Sequence, residues 1–396
     1  MCGVTDTHKA PWFHTNYPRH DGYTILPTAV RCGAPHHITG RGITIAFIDS
    51  GFYPHPDLTG RVLCHADATS GRIVEGRRFY NPEWFSWHGQ MTSVIAAGAG
   101  DAFPGIAREA NLVLIKVSNR LKQIKERDIL RGFDWLLANH RRFNVRVINV
   151  SVGGDFESLD AHHPLHRIVA QLTAEGITVC VAAGNRPQSH LVPPASAIEA
   201  ITVGGYDDGN SRDPSNWHPY GSSWGQAYDG SRKPELIAPA RWIASPILPG
   251  TSEANRAYWL AQLINTDVQY DPSHYQETVR RVLREGYKDL GISYESALRP
   301  DAEVYHHLQF WINRDKVIDA THQHVDGTSV SVAMVSAMVA QLLEVRPDLT
   351  PAQVKALLME TAVLHPAISH EQQGGGMVNP AQAITVLSSA MQTVAD

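Results

Sequence analysis

The tripeptide Gly327-Thr328-Ser329 runs directly into Val330-Ser331-Val332-Ala333-Met334-Val335-Ser336-Ala337-Met338-Val339-Ala340, a stretch of apolar and small residues. That pattern predicts a buried helix with a hydroxyl at its N-terminal end. Backbone N–H groups converge there and the helix dipole favours negative charge, so an oxyanion formed at Ser329 gains from both. The plain alternative is a serine that only caps a core helix. Serine is a weak nucleophile and needs a base within hydrogen-bond reach. Two residues upstream fit that need. His88 opens a run of small and apolar residues, His88-Gly89-Gln90-Met91-Thr92-Ser93-Val94-Ile95-Ala96-Ala97. Asp49 ends the β-branched run Ile43-Thr44-Ile45-Ala46-Phe47-Ile48. Asp, His and Ser in that order form one of three recurring orders for a nucleophilic triad. His88 would take the serine proton, and Asp49 would hold the imidazole tautomer. Asn185, after Gly184 at the end of another apolar run, offers a side-chain amide to a developing oxyanion, and the Ser329 N–H offers a second donor. Asp49-Ser50-Gly51 also suggests an aspartic peptidase, but that chemistry needs two such carboxylates. No second Asp-Ser/Thr-Gly follows a strand here.

The elements that must position these residues alternate along the chain. Strands are predicted at 42–48, 112–117, 145–150, 177–183 and 200–203, and helices at 88–98, 128–140 and 165–174. Alternation of this kind implies parallel crossovers and a sheet covered on both faces, with ligands at the C-terminal ends of the strands. The segment 52–86 reads as loop. Residues 1–40 read as an irregular arm with one short helix near 23–31. From about 245 to 322 charge and long side chains increase, and amphipathic spacing predicts helices at 254–264, 273–285 and 303–314, a helical insertion ahead of Ser329. Thr350-Pro351-Ala352-Gln353 is a capping box with proline at the first helical position, and Asn379-Pro380 caps a last helix.

Composition narrows the function. The chain has 396 residues, 43% of them apolar, and a net charge of −5 with no long run of one sign. That excludes neither a large core nor a protein partner, but it argues against nucleic acid or an anionic membrane as partner. The first twenty residues lack the apolar centre of a secretory signal, and the longest apolar stretch, 330–343, is shorter than a membrane span. Four scattered cysteines suit a reducing compartment better than a disulfide framework, leaving a Cys32–Cys64 bridge open, and a cytoplasmic location is expected. The pairs His36-His37, His162-His163 and His306-His307 read as solvated surface, so no metal or other cofactor is expected.

Four blocks in order resemble the subtilisin-like serine peptidases, the subtilases. They are Ile45-Ala46-Phe47-Ile48-Asp49-Ser50-Gly51, His88-Gly89, Val181-Ala182-Ala183-Gly184-Asn185 and Gly327-Thr328-Ser329. Val147 to Gly154, Lys233-Pro234-Glu235-Leu236-Ile237-Ala238-Pro239 and Gly375-Gly376-Met377-Val378-Asn379-Pro380 support the likeness, which covers 42–240 and 323–388. The resemblance implies a three-layer α/β fold, a mostly parallel sheet flanked by helices, spanning 41–396 and carrying the insertion. It implies a serine endopeptidase whose protein or peptide substrate lies extended as an added strand. The substrate would run between Ser151-Val152-Gly153-Gly154 and the stretch before Ala182-Ala183-Gly184, which also walls the primary specificity pocket. Three departures from the family pattern stand out. Met91 replaces a second histidine, Ala333 replaces a proline after the serine, and Ala240 replaces a glycine. The stretch between His88 and Leu112 is too short for the calcium loop of secreted members, and their prodomain is not expected either. With all four reacting residue types in place, an active enzyme is expected, with a catalytically impaired binding or scaffold protein as the alternative. Processing of one dedicated protein or precursor peptide is the narrower expectation.

Overall fold

The structure is a computed structural model that describes residues 13–15, 25–76, 83, 85–265 and 271–395, with side chains to residue 389. Most of residues 1–24, and Trp84, lie outside the described residues, so the arm read at 1–40 is described only in part. The short helix α1 occupies Thr28–Cys32, later than the 23–31 expected, because Pro27 takes the N-cap position.

Strands β1 (Thr44–Asp49), β2 (Val62–Asp67), β3 (Val74–Glu75), β4 (Asn111–Lys116), β5 (Val145–Val150), β6 (Thr178–Ala182), β7 (Ile201–Asp207) and β8 (His218–Pro219) come first. A hairpin of β9 (Gly225–Gln226) and β10 (Arg232–Lys233) precedes β11 (Leu236–Pro239). Among the described residues the main sheet has nine strands in the order β11-β7-β6-β5-β1-β4-β2-β3, with β8 on the flank of β7. The pairs from β11 to β2 are parallel, and only β2/β3 and β7/β8 are antiparallel. Helix α2 (Ser86–Ala97) and the later α9 cover one face, while α3 (Glu126–Phe143) and α4 (Pro164–Ala174) cover the other. This is the three-layer α/β arrangement.

Strand periodicity decides which layer each side chain enters. In β1, Ile45 and Phe47 join the core beneath α2 and α9, whereas Ala46 and Ile48 join the core beneath α3 and α4. Asp49 is next in the first series, so its carboxylate emerges on the α2/α9 side at the C-terminal edge of the sheet.

Among the long strands of the main sheet, β2 and β7 differ most from the sequence reading. Val62-Leu63-Cys64-His65-Ala66-Asp67, read as loop, is β2 and pairs in parallel with β4. Its polar residues conceal the strand, and pairing with β4 holds it. β7 extends to Asp207 rather than ending at 203, because Gly204 and Gly205 weaken the apolar signal without interrupting the ladder to β11.

The chain divides into two compact units, one of them built on 244–324 together with Phe13 and its neighbours, the other on 19–243 and 325–396. The first contains α5 (Ser252–Asn265), α6 (Pro272–Gly286), α7 (Tyr294–Leu298) and α8 (Ala302–Asp315) around its own core of Leu260, Tyr275, Val279, Leu283 and Leu308. Phe13 packs its ring near Tyr305, and His14 N–H donates to Gln309 at 3.0 Å. The short helix α7 had no sequence signal. The unit's two connections pair as β12 (Ile243–Pro246) and β13 (His322–Val325).

In the other unit α9 (Thr328–Val345) is an unbroken 18-residue helix, buried throughout from Thr328 to Leu343. It is long and apolar enough to cross a membrane, more so than the 330–343 stretch suggested, yet 89% of it is buried inside the fold as the core helix. Ala333 in place of proline leaves the helix continuous. Three helices complete the chain: α10 (Pro351–Glu360) behind its Thr350/Gln353 capping box, α11 (His370–Gln373), and α12 (Pro380–Ala395), which Asn379 caps by accepting from Gln382 N–H at 3.2 Å. Cys32 is a free thiol, so the Cys32–Cys64 bridge left open above does not form, and Cys32 Sγ instead meets Met334 Sδ at 3.3 Å.

Candidate active site

Asp49 is wholly buried, and its carboxylate is filled by donors. Oδ1 accepts from Ser50 N–H at 2.6 Å and faces His88 Nδ1 at 2.6 Å, while Oδ2 accepts from Thr92 Oγ at 3.0 Å. Thr92 stands four residues after His88 in α2, so one helical turn presents the imidazole and the hydroxyl to the same carboxylate. Gly89 makes that approach possible, because a Cβ there would collide with the Gly51 carbonyl oxygen.

With Nδ1–H held by Asp49, the lone pair of His88 Nε2 faces Ser329 Oγ at 3.2 Å. The ring is still 23% exposed and Ser329 8%, so the serine–histidine pair borders solvent while the aspartate does not. Burial alone lowers the His88 pKa, but the Asp49 charge and hydrogen bond outweigh it, and the net shift is upward from the ordinary value.

Ser329 is the second residue of α9, where the first-turn N–H groups have no intrahelical acceptor. The turn is anchored ahead of it: Gly327 N–H donates to Ala240 O at 2.8 Å, and Asp326 Oδ1 accepts from Trp242 N–H at 2.9 Å. Asn185 is oriented by its own oxygen. Oδ1 accepts from Thr328 N–H at 2.8 Å, Thr328 Oγ at 3.2 Å and the Tyr220 hydroxyl at 3.4 Å, which turns Nδ2 the other way. At Gly327, whose φ is +140°, a Cβ would sit 3.5 Å from Asn185 Nδ2 and 3.8 Å from Ser329 N. Asn185 Oδ1 is 3.7 Å from the same point, so the asparagine amide and the Ser329 N–H both lie next to Gly327.

Ser151, Val152, Gly153 and Gly154 continue from β5, and Ala182 ends β6, the neighbouring parallel strand, with Ala183 and Gly184 continuing from it. A cleft of about 310 Å³ beside His88 is lined by Ser50, Trp87, Lys122, Ile124, Ser151 and Val152 among others. A larger cavity of about 380 Å³, lined by Leu159, His190, Trp224 and Arg232 among others, includes none of Asp49, His88, Asn185 or Ser329. We attach the chemistry to the smaller one because it holds the imidazole. Met91 is buried in the core under α2 among apolar side chains.

The sequence reading missed Thr92, Thr328 and Tyr220. Thr92 carried a usable signal, its one-turn spacing from His88. Thr328 oxygen also accepts from Gly184 N–H at 3.1 Å, tying the asparagine and serine segments together. Tyr220 had no local signal. Among the described residues no group of three His, Cys, Asp or Glu side chains is gathered to hold a metal ion.

A doubly covered parallel sheet with aspartate, histidine and serine meeting at its C-terminal edge defines the class of subtilisin-like α/β proteins. The model of the subtilase family matches residues 40–379, and the chain belongs to that family. It is 28% identical over 333 residues to the serine protease AprX of Bacillus subtilis (strain 168), a match covering 81% of this chain and 61% of that protein. It is 31% identical over 224 residues to subtilisin-like protease 3 of Pseudogymnoascus destructans, covering 54% of this chain and 50% of that one. The chain thus matches only part of the length of these relatives. Two solved structures share the fold. The protease domain of PatA, solved as a serine-to-alanine variant, has a TM-score of 0.57 at 19% identity, covering 90% of this chain and 97% of that one. A protease from Pseudoalteromonas arctica has a TM-score of 0.59 at 18% identity, covering 92% of this chain and 94% of that one.

Proposed function

We propose that this chain is a serine endopeptidase working through Asp49, His88 and Ser329, with Asn185 Nδ2 and Ser329 N–H as the oxyanion donors. The hydrogen-bonded series from Ser329 Oγ through His88 to Asp49, 3.2 and 2.6 Å, carries the reading. Ser329 Oγ attacks the scissile carbonyl carbon as its proton passes to His88 Nε2. The carbonyl oxygen takes up negative charge between the two nitrogens, each worth about 2.7–4 kcal/mol of barrier. His88 then returns the proton to the departing amine as the C–N bond breaks, leaving an ester on Ser329. Water, deprotonated by His88, repeats the sequence and frees the carboxylic acid. Asp49 stays ionised throughout and stabilises the imidazolium.

The substrate reading is a peptide lying extended against Ser151–Gly154 and the end of β6. Free, buried Cys32 and Cys180 support action in a reducing compartment such as the cytoplasm. The 244–324 unit, entering the chain just ahead of Asp326, supports a role for it in choosing one protein or peptide precursor. A fluorophosphonate should label the wild type and not Ser329→Ala, and the wild type alone should cleave members of a peptide library. Absence of both labelling and cleavage would leave the chain a binding protein on this fold. Deletion of 252–315 should broaden cleavage, and unchanged specificity would remove the selecting role.

A further inference from the structure

The helical unit built on 244–324 holds a short stretch from the other end of its own chain. Tyr305, Gln309 and Asn313 stand four residues apart along α8 and so share one of its faces. The Gln309 side-chain amide grips His14 by the main chain on both sides. Its Oε1 accepts from His14 N–H at 3.0 Å, and its Nε2 donates to His14 O at 2.6 Å. Nε2 also donates to Asn313 Oδ1 at 3.1 Å, one turn on, which fixes the amide for that grip. One residue earlier, the Phe13 ring is packed against the unit's core, its centroid 6.4 Å from that of Tyr305. Tyr275 of α6, a side chain with no exposed surface, is hydrogen-bonded to the Phe13 backbone. His14 is exposed, so what the unit reads at that position is the main chain.

A segment fastened by packing alone is met through its side chains. Here the polar contacts go to main-chain groups, which every residue but proline offers in full, and one aromatic ring supplies the apolar contact. An amide that pairs with both main-chain groups of one residue makes the bonds a neighbouring strand would make, so it suits an extended peptide. We propose that the face of α8 bearing Tyr305, Gln309 and Asn313, together with Tyr275 of α6, is a peptide-binding site. Its ligand is an extended segment with an aromatic residue followed by any residue but proline. Phe13 and His14 fill the site in cis, and a segment of another protein with the same chemistry takes their place. Because the cis segment is tethered, its effective concentration is high, and an outside peptide must displace it. The site is read by binding rather than by cleavage, so it stands or falls apart from the peptidase reading.

A fluorescein-labelled peptide of residues 9–19 is titrated into the full chain and followed by anisotropy, with Ser329→Ala in the protein so that cleavage does not intervene. Phe13→Ala in the protein vacates the site, and the peptide should then bind about tenfold or more tightly than with Phe13 in place. His14→Pro in the protein, which removes the donating N–H, vacates it by a second route. On the vacated protein, three changes should each weaken binding about tenfold: Phe13→Ala in the peptide, N-methylation of its His14 nitrogen, and Gln309→Leu in the protein. His14→Ala in the peptide should change affinity by less than about threefold, as for an exposed side chain. A peptide that keeps only the phenylalanine, among alanine, glycine and serine, should still bind and should lose binding on Gln309→Leu. The peptide changes need no further substitution in the protein, so they decide the matter even where Gln309→Leu fails to fold. Binding indifferent to Phe13 in the protein, binding that survives N-methylation, binding that needs the His14 imidazole, or no binding to vacated proteins that are folded by circular dichroism would each overturn the proposal. Fluorophosphonate labelling of Ser329 in the wild type reports separately on the peptidase reading.

Discussion

Two histidine–serine pairs lie in the same unit, and they differ in everything except the hydrogen bond that joins them. His88 Nε2 is 3.2 Å from Ser329 Oγ, and His166 Nε2 is 2.8 Å from Ser196 Oγ, the shorter of the two. His88 gives its Nδ1 to a buried carboxylate, whereas His166 gives its Nδ1 to the Asp160 backbone carbonyl at 2.8 Å. The Asp49 charge raises the pKa of His88 against the effect of burial, while burial lowers that of His166 despite its backbone hydrogen bond and the carboxylates of Glu199 and Asp160. Ser329 stands in the first turn of an 18-residue helix beside Asn185, and Ser196 is buried in a turn, its own hydroxyl near Ser158 O. A base that must accept a proton needs a partner that gains when it becomes charged. It also needs a nucleophile within reach of a substrate, and only the first pair has these. The second pair fastens the loop 158–160 to the chain after β6.

The sharpest way to break the contrast is to delete each hydroxyl. Ser329→Ala should lower kcat by about a millionfold. Ser196→Ala should leave kcat in place and cost about 1–3 kcal/mol of stability, because it strands a buried imidazole nitrogen. Peptide hydrolysis rates with denaturant unfolding of both variants decide this, and comparable losses of kcat would end the distinction. Next in size, Asp49→Asn should lower kcat by about 10⁴-fold with the fold retained, since the amide supports the wrong tautomer. His166 has no carboxylate on its ring to remove, so no equivalent change there should approach that size. Smaller again, Asn185→Ala should lower kcat by about 10²–10³-fold with KM little changed, since its amide acts on charge present only in the transition state. A loss confined to KM would place Asn185 in ground-state binding.

The first pair was readable in the sequence and the second was not. Asp49, His88, Asn185 and Ser329 each sit at an element boundary marked by glycine or by a change in apolar period, and such boundaries are local information. Residues 145–150 form β5 as read, because a β-branched run between a helix and a Gly-Gly turn admits little else. His166 looks like any polar residue on an amphipathic helix, and its partner Ser196 is thirty residues away, brought in only by tertiary packing. The same holds for Tyr220 behind Asn185. β2 escaped because Cys64, His65 and Asp67 dilute its apolar pattern, and its place beside β4 is a property of the sheet.

The smallest predicted effect separates the pairs by pH. His88 has its folded pKa raised above the ordinary 6.5, so it contributes stability that is full below 6.5 and lost as pH rises through the folded value. His166 has its folded pKa lowered, so its contribution is full above 6.5 and lost as pH falls toward the folded value. His65 has the same sign as His166, being pushed down to about 3 by burial against the pull of Asp67. The groups facing His166 are Asp160, His163, Glu199 and the Tyr228 ring, and His163 itself lies 3.4 Å from Glu126. The thermal midpoint should therefore decline on both sides of neutrality for different reasons. His166→Gln should flatten the decline below pH 6.5 and leave the alkaline side alone, and His88→Gln should do the reverse. In the wild type the acid limb of kcat/KM should have its midpoint above 6.5, because His88 must be neutral to accept the serine proton. An acid limb below 6.5, or a His88→Gln protein whose alkaline decline is unchanged, would show that Asp49 does not hold the imidazolium as its 2.6 Å contact requires.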